Sequence, residues 1–255
     1  MKQAWLAALV IATLAAACDG SSSSSADRVV SMDPDQVRDQ VVAAMNGLES
    51  YRVEFDLRTL DQTTIEYRKP NSYRSLVIAD DNQTGERTLG ELLYVGNMLY
   101  ARKCDPDGSN CGDWDSTERG DIVVGAGSPS YFPQWPFVAL EMATGFDMLQ
   151  DSGNMVVLSG SVNHVRAAIE NATRLSPDTS LAEQLEAQEP GLAFAEEHPS
   201  LLSVWIDPNN FLIERVKLTL VPQNEDGSAA PEKQPKQEFD LFYSKFNDVT
   251  IEAPE

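Results

Sequence analysis

The sequence predicts an α+β protein in which helices gather on one face of an antiparallel β-sheet. Three observations predict this class. An amphipathic helical segment stands near the amino terminus, a series of short alternating segments follows it, and helical segments in the middle precede further strands. Strands that are grouped apart from helices are typical of α+β folds, and short turns between successive strands favour antiparallel pairing.

The first helix is predicted to begin at the segment Asp33-Pro34-Asp35-Gln36. Asp33 can cap the helix, proline suits the first helical position, and Gln36 stands where a capping box places a glutamine. Apolar residues then recur at helical spacing until Gly47, where the helix is predicted to end. These apolar residues are Val37, Val41, Ala44, Met45 and Leu48.

The period of the pattern changes to two after this helix. Within residues 51–58 every odd position is apolar and every even position is charged, which predicts a strand with one buried face. Four further strands are predicted at 63–69, 73–79, 88–95 and 98–103, with a hairpin turn at Gly96-Asn97. This series predicts an antiparallel meander.

The rest of the chain changes from helices back to strands. Helices are predicted over 137–149, 163–175 and 181–187, with a short strand over 155–158. Strands are predicted again over 202–206, 211–221 and 239–246. The turn Asp207-Pro208-Asn209-Asn210 separates the first two of these strands. No repeat of 20–50 residues is apparent in the sequence.

The amino terminus has the features of a secretory signal. Lys2 precedes an apolar run over residues 4–17, which is too short to span a bilayer and ends in small residues. The segment Ala15-Ala16-Ala17-Cys18 resembles the lipobox of bacterial lipoproteins, with Leu14 one position earlier than the usual leucine. The resemblance implies cleavage before Cys18 and acylation of its sulfur. The alternative is an ordinary signal peptide with an incidental cysteine.

This interpretation divides the chain into three parts. Residues 1–17 are the predicted lipoprotein signal peptide, residues 18–31 the acylated cysteine and a serine-rich tether, and residues 32–255 a single domain. The mature protein is then expected on the extracytoplasmic face of the cell membrane, in a bacterial envelope, held there by the lipid on Cys18.

The composition argues against nucleic acid as a partner. The formal net charge is −21, and no basic stripe interrupts the acidic surface. Such a chain is repelled by nucleic acid and by anionic lipid head groups.

Two cysteines remain after the signal, Cys104 and Cys111. In an oxidising compartment an even pair predicts a disulfide, and a metal-binding pair, which would need two further soft ligands, is the alternative. Between them Asp105, Asp107 and Ser109 resemble the start of a calcium loop, although the bidentate glutamate of such a loop is missing. A simple turn tip is the other interpretation, and no metal site is predicted.

No catalytic signature is apparent. His164 and His198 are the two histidines, and both stand at ordinary polar positions. The sequence lacks a Gly-x-Ser-x-Gly elbow, and Gly125-Ala126-Gly127 lacks the lysine of a phosphate-binding loop. We therefore expect no enzyme activity, no catalytic residue and no cofactor.

Several features together resemble a known family. They are the lipobox, the serine-rich tether, the early helix, the run of strands, the segment Val204-Trp205-Ile206-Asp207 before a hairpin turn, and the ending Ile251-Glu252-Ala253-Pro254 after residues 242–250. The pattern is similar to the LppX/LprG type of bacterial lipoprotein and, more distantly, to the LolA/LolB lipoprotein-localisation factors. The resemblance implies a curved, half-open β-barrel whose concave face is covered by helices.

The resemblance also implies a ligand, because the concave face in that family is apolar and takes lipid acyl chains. The matching positions in this sequence are Val53, Phe55, Leu57, Ile65, Tyr67, Leu76, Ile78, Trp205, Phe211 and Ile213. A curved sheet with one apolar face must be covered by helices, by ligand or by both. These side chains thus either line a ligand pocket or belong to the ordinary hydrophobic core.

The sequence therefore predicts a membrane-anchored lipoprotein that binds or carries lipid acyl chains between the sheet and the helices. The alternative is an envelope sensor or scaffold that binds a protein partner without catalysis. An exposed aromatic patch around Tyr131, Phe132 and Trp135 would favour this alternative.

Overall fold

The computed structural model describes residues 24–56, 63–70, 72–80, 86–118, 131–151, 154–175, 189–222 and 237–254. Within these residues it contains eleven strands and five helices. The helices are α1 (Ser25–Val30), α2 (Pro34–Asn46), α3 (Tyr131–Met142), α4 (His164–Leu175) and α5 (Glu189–Glu197). The strands are β1 (Ser50–Asp56), β2 (Thr63–Arg68), β3 (Ser72–Asp80), β4 (Arg87–Val95), β5 (Met98–Cys104), β6 (Asp115–Glu118), β7 (Thr144–Gln150), β8 (Val156–Val162), β9 (Ser200–Ile206), β10 (Ile213–Leu220) and β11 (Gln237–Ser244).

All eleven strands belong to one antiparallel sheet. Its order is β6-β5-β4-β3-β2-β1-β11-β10-β9-β8-β7, so the first and last strands of the chain pair at its centre. Among the described residues neither β6 nor β7 pairs with a further strand, and the sheet is therefore open at both edges. The predicted α+β class with an antiparallel sheet is confirmed.

The helices cover one face of this sheet, which we call the inner face. The apolar side of α2, with Val37, Val41 and Met45, lies in the same buried cluster as the inward side chains of β1 and β10. The helix α1 packs on β7 and β8, and α3 packs between α2 and α4. The opposite, outer face carries most of the charged side chains of the strands.

The start of α2 agrees with the prediction in its Asp33 cap and in the position of Pro34. The Asp33 side chain accepts hydrogen bonds from the backbone N–H groups of Asp35 and Gln36, and Pro34 occupies the first helical position. These contacts satisfy amide groups that have no partner inside the helix.

The predicted tether is too long, because residues 24–31 are not an extended linker. Ser24 caps α1 through a capping box with Asp27, and Ala26 and Val29 are buried in the core. The sequence pattern did not indicate this helix, because it is only six residues long and begins at the last of five consecutive serines. The folded part therefore includes residues 24–31, which were predicted as tether.

The structure also differs from the predicted secondary structure in the middle of the chain. The helix predicted over 137–149 ends at Met142, and residues after it form the edge strand β7. Gly145, with a φ of 67°, lies where the chain leaves the helix and enters this strand. A continuous apolar run is compatible with either structure, so periodicity could not separate them.

Two further described elements, β6 and α5, were not predicted either. The strand β6 is polar and fully exposed, and α5 carries no strong apolar stripe. The helix predicted over 181–187 lies outside the described residues.

Candidate functional site

The inner face of the sheet brings together half of the predicted site residues. In β1 Val53 and Phe55 point inward, and the pairing of Val53 with Ile65 and of Tyr51 with Tyr67 places β2 in register with them. Ile213 of β10 lies on the same face, paired with Ile206. Val53, Phe55, Ile65, Tyr67 and Ile213 are all buried.

Three of the predicted site residues, Leu76, Ile78 and Trp205, lie on the outer face instead. Ser75 pairs with Ile65, so Tyr73, Ser75 and Val77 of β3 point inward, whereas Leu76 and Ile78 point outward. The expectation that Leu76 and Ile78 line the concave face is wrong. Apolar residues occur at both odd-numbered and even-numbered positions of this strand. Only the register with β2 shows which set points inward.

Trp205 is also misplaced by the sequence interpretation. It lies between the buried residues Val204 and Ile206, and it therefore points to the outer face. There its indole N–H donates a hydrogen bond to Asp151 Oδ2 at 3.1 Å, and the Arg215 guanidinium lies 4.6 Å from its ring centroid. Trp205 is not part of the inner surface.

The remaining predicted positions have different outcomes. Phe211 lies in the β9–β10 turn with a φ of 61° and packs, half-buried, against the core. Leu57 and Cys18 lie outside the described residues. Their roles in the pocket and in the lipid anchor stay predictions.

An aromatic cluster forms the part of the inner face closest to the helices. The Tyr51 ring centroid is 5.1 Å from Tyr67, 5.8 Å from Phe137 and 5.8 Å from Tyr243. Burial raises the pKa values of Tyr51 and Tyr243 well above the usual value of tyrosine, so both phenols stay neutral across the physiological range.

A pocket opens beside this cluster, between the end of α2, the start of β1 and the helices α3 and α4. Its volume is about 130 Å³. Its lining residues are Met45, Asn46, Leu48, Tyr51, Tyr67, Lys69, Gln134, Phe137, Val138, Glu141 and Arg174. The floor is apolar and aromatic, and the rim carries charged and amide groups.

The pocket is smaller than a typical ligand site, which measures roughly 300–1,000 Å³. Among the described residues, side chains therefore fill most of the space at this point between α2, α3 and the sheet.

Sequence reasoning missed most of the residues that surround this pocket. Phe137 and Val138 come from α3, and Tyr243 comes from β11. Met45 was predicted as a helix-face residue but not as pocket wall. The alternation of Phe239, Leu241 and Tyr243 was a usable signal for the inner face of β11, whereas the helix positions depend on tertiary packing.

The cysteine pair is joined in the structure, with 2.01 Å between the sulfur atoms of Cys104 and Cys111. The turn between them uses its carboxylates internally. Asp107 accepts hydrogen bonds from the hydroxyl and the backbone N–H of Ser109, which lower the pKa of this carboxyl, and Asp105 accepts one from Asn110. This arrangement is that of a hydrogen-bonded turn tip.

An exposed aromatic patch at residues 131–135 would have favoured the protein-binding alternative. Trp135 is buried and belongs to the core cluster, so it does not contribute to such a patch. The side chains of Tyr131 and Phe132 lie outside the described part of the structure.

The described residues lack two features that would bear on function. They contain no group of three or more histidine, cysteine or acidic side chains that could hold a metal ion. They also contain no helix that is long and apolar enough to cross a membrane.

Comparison with solved structures identifies the architecture. The crystal structure of LprF from Mycobacterium bovis matches 87% of this chain and 96% of that chain, with a TM-score of 0.50 and 16% sequence identity. This chain has the fold of LprF. The expected resemblance to the LppX/LprG type of lipoprotein is thereby confirmed for the fold, and so is the curved, half-open barrel covered by helices.

Other comparisons add little to this result. A structure of MucB in complex with MucA(peri) matches 83% of this chain and 56% of that chain at 11% identity, but its TM-score of 0.28 is too low to support an argument. No protein-family model and no curated protein matches the sequence.

Proposed function

We propose that this protein is a lipid-anchored envelope lipoprotein that binds lipid acyl chains between the inner face of the sheet and the helices. The observation that carries the proposal is the pocket of about 130 Å³ between α2, α3 and the aromatic end of β1 and β2. Its apolar floor suits acyl chains, and its polar rim suits a head group. The LprF-like fold supports this assignment.

The mechanism needs no catalytic group. Apolar side chains shield the acyl chain from water, and each buried square ångström of apolar surface contributes about 25 cal/mol. The helices α3 and α4 form the lid, since they contact each other and cover the pocket from the side opposite the sheet. Their displacement admits the ligand, and their return covers it.

Ion pairs of Arg174 connect the two helices of this lid. Arg174 Nη1 lies 2.8 Å from Glu141 Oε2 of α3, and Arg174 Nε lies 3.5 Å from Glu170 Oε1 in its own helix. Exposed pairs of this kind are weak, each contributing roughly 0–1 kcal/mol. A displacement that separates Arg174 from Glu141 would therefore cost little free energy at this contact.

Native mass spectrometry with solvent extraction tests the proposal. The protein, purified from a bacterial host that processes lipoproteins, should carry lipid of defined mass beyond the covalent anchor. Val138→Trp fills the pocket from α3 and should abolish this co-purification. Leu201→Trp places the same indole on the outer face and serves as the matched control.

Thermal unfolding of both variants separates loss of ligand from loss of structure. Retention of lipid by Leu201→Trp and its loss from a folded Val138→Trp protein support the assignment. A wild-type protein that carries no extractable lipid and takes up no fluorescent fatty acid contradicts it.

A further inference from the structure

The short distance between the predicted anchor and the folded domain restricts how the domain can lie on a membrane. Cys18 and Ser24 are six residues apart, and a fully extended chain spans at most about 3.3–3.6 Å per residue. The start of α1 therefore lies within about 20 Å of the acylated cysteine. This argument depends on the lipid anchor at Cys18 that forms part of the proposed function.

The start of α1 marks one rim of the sheet. Ser25 Oγ donates a hydrogen bond to Asn209 Oδ1 at 2.8 Å, which attaches α1 to the β9–β10 turn. The turn between β7 and β8 and the end of β11 lie at the same rim, because antiparallel strands alternate in direction. We call this edge of the molecule the anchor rim.

The outer face carries an apolar stripe along the anchor rim. Strand pairing aligns one residue from each of five neighbouring strands: Leu149, Val157, Trp205, Arg215 and Phe242. Leu149 is 70% exposed and Phe242 is 41% exposed. They are two of the three large apolar side chains that are exposed in the described residues, and the third, Leu201, lies at the opposite rim.

The chemistry of the stripe suits the interface of a bilayer. Trp205 offers a large amphipathic ring, and such rings concentrate at the level of lipid head groups. The Arg215 guanidinium lies between the Trp205 and Phe242 rings, at 4.6 Å and 5.4 Å from their centroids, and is neutralised by Asp240 at 2.8 Å. The charge of Arg215 is therefore compensated within the stripe, and Asp151, which accepts the hydrogen bond of the Trp205 indole, adds one acidic group beside it.

We infer that the anchor rim docks on the surface of the membrane that holds Cys18, with Leu149, Trp205 and Phe242 inserted among the head groups. The tether is too short to let the domain rotate this rim far from the lipid. A zwitterionic surface is the matching partner, because an anionic one would repel the acidic domain.

Docking at this rim also determines which side of the pocket faces the membrane. The backbone N–H of Ile213, at the start of β10, donates to Met45 Sδ at 3.3 Å, and Met45 lines the pocket. Lys69, at the end of β2, and Tyr51, at the start of β1, lie at the same rim. The pocket then opens toward the bilayer, and an acyl chain passes into it directly from the membrane that anchors the protein.

Tryptophan quenching by brominated lipid tests the docking. The full chain is expressed in a bacterium, extracted in detergent and reconstituted into phosphatidylcholine vesicles with or without bromine on the acyl chains. Trp205→Phe should remove most of the bromine-dependent quenching. Trp114→Phe, which changes a tryptophan of the outer face in the other half of the sheet, should leave it unchanged.

A second pair of variants leaves every tryptophan in place, so that a change in quenching cannot come from replacing Trp205 itself. Leu149→Ser should reduce the quenching of Trp205, whereas Leu201→Ser, an exposed leucine at the opposite rim of the same face, should not. Thermal unfolding confirms that each variant is folded.

Flotation of the vesicles separates failure of docking from failure of the anchor. A protein that floats but shows equal quenching in wild type and Trp205→Phe overturns the docking and leaves the anchor and the pocket standing. A full chain that does not float overturns both the anchor at Cys18 and the docking. A stripe that stays accessible on vesicles and is protected only by an added envelope protein would assign it to a protein partner and contradict the inference.

Discussion

At the residue scale, the most consequential polar group is Glu91 on the outer face of β4. Its side chain is buried, and its two carboxylate oxygens lie 2.5 Å from Arg74 Nη2 and 2.7 Å from Arg102 Nη2. The Arg102 guanidinium also stacks 4.2 Å from the centroid of the Trp114 ring. One carboxylate thus joins β3, β4 and β5, and the carboxy-terminal segment with Ile251 packs beside it.

Glu91→Gln should lower the free energy of unfolding by roughly 2–4 kcal/mol, because it removes the charge of a buried carboxylate that pairs with Arg74 and Arg102. Urea denaturation measures this change. Glu54→Gln is the control, since Glu54 is exposed and lies 3.6 Å from its arginine, Arg52, and it should cost less than about 1 kcal/mol. Equal effects of the two substitutions would contradict the assigned role of Glu91.

His164 gives the molecule a dependence on pH. Burial lowers the pKa of this imidazole, whose Nδ1 lies 2.9 Å from Ser200 Oγ, below the usual 6.5. The unfolded chain then binds the proton more readily than the folded one, so the stability that neutral His164 supports is present above pH 6.5 and is lost as the pH falls through the folded pKa.

We expect the stability difference between wild type and His164→Gln to shrink as the pH is lowered from 8 to about 5, because glutamine does not titrate. Urea denaturation of both proteins at a series of pH values measures this. A difference that is constant over this range would show that His164 is not the titrating group.

At the scale of elements, α1 extends the folded domain into the predicted tether. Its six residues are too few to be stable alone, and the helix exists because Ala26 and Val29 are buried against β7 and β8. Val29→Ala should lower the free energy of unfolding by roughly 1.5–3 kcal/mol, from lost apolar burial and the remaining cavity.

Arg28→Ala in the same helix is the matched control, and as a surface substitution it should change stability by less than about 0.5 kcal/mol. Thermal or urea unfolding distinguishes the two. A Val29→Ala protein as stable as wild type would restore the long tether and remove the basis for a short anchor.

At the scale of the whole molecule, net charge is the dominant feature. Forty acidic residues against nineteen basic ones give a charge of −21, and the compact state concentrates this charge. Raising the ionic strength from 0.01 M to 0.15 M shortens the screening length from about 30 Å to about 8 Å. We therefore expect the urea midpoint to rise with NaCl over this range, and a falling midpoint would show that attractive pairs outweigh the repulsion.

The sequence alone determined the elements whose pattern is local. The cap of α2 at Asp33, the alternation of β1, the Gly96-Asn97 hairpin and the turn at residues 207–210 depend on neighbours along the chain, and all are found in the structure. The alternation in β1 also identified Val53 and Phe55 as inward residues, since only one parity of that strand is apolar.

Only the tertiary structure decided which face the other strands present and where the pocket lies. Leu76, Ile78 and Trp205 are apolar residues on the outer face, and nothing local to their strands distinguishes them from inward residues. The helix α1 and the strand β7 likewise depend on partners far along the chain. Register and burial arise from pairing between distant segments, and a pattern within one segment carries no information about its partner.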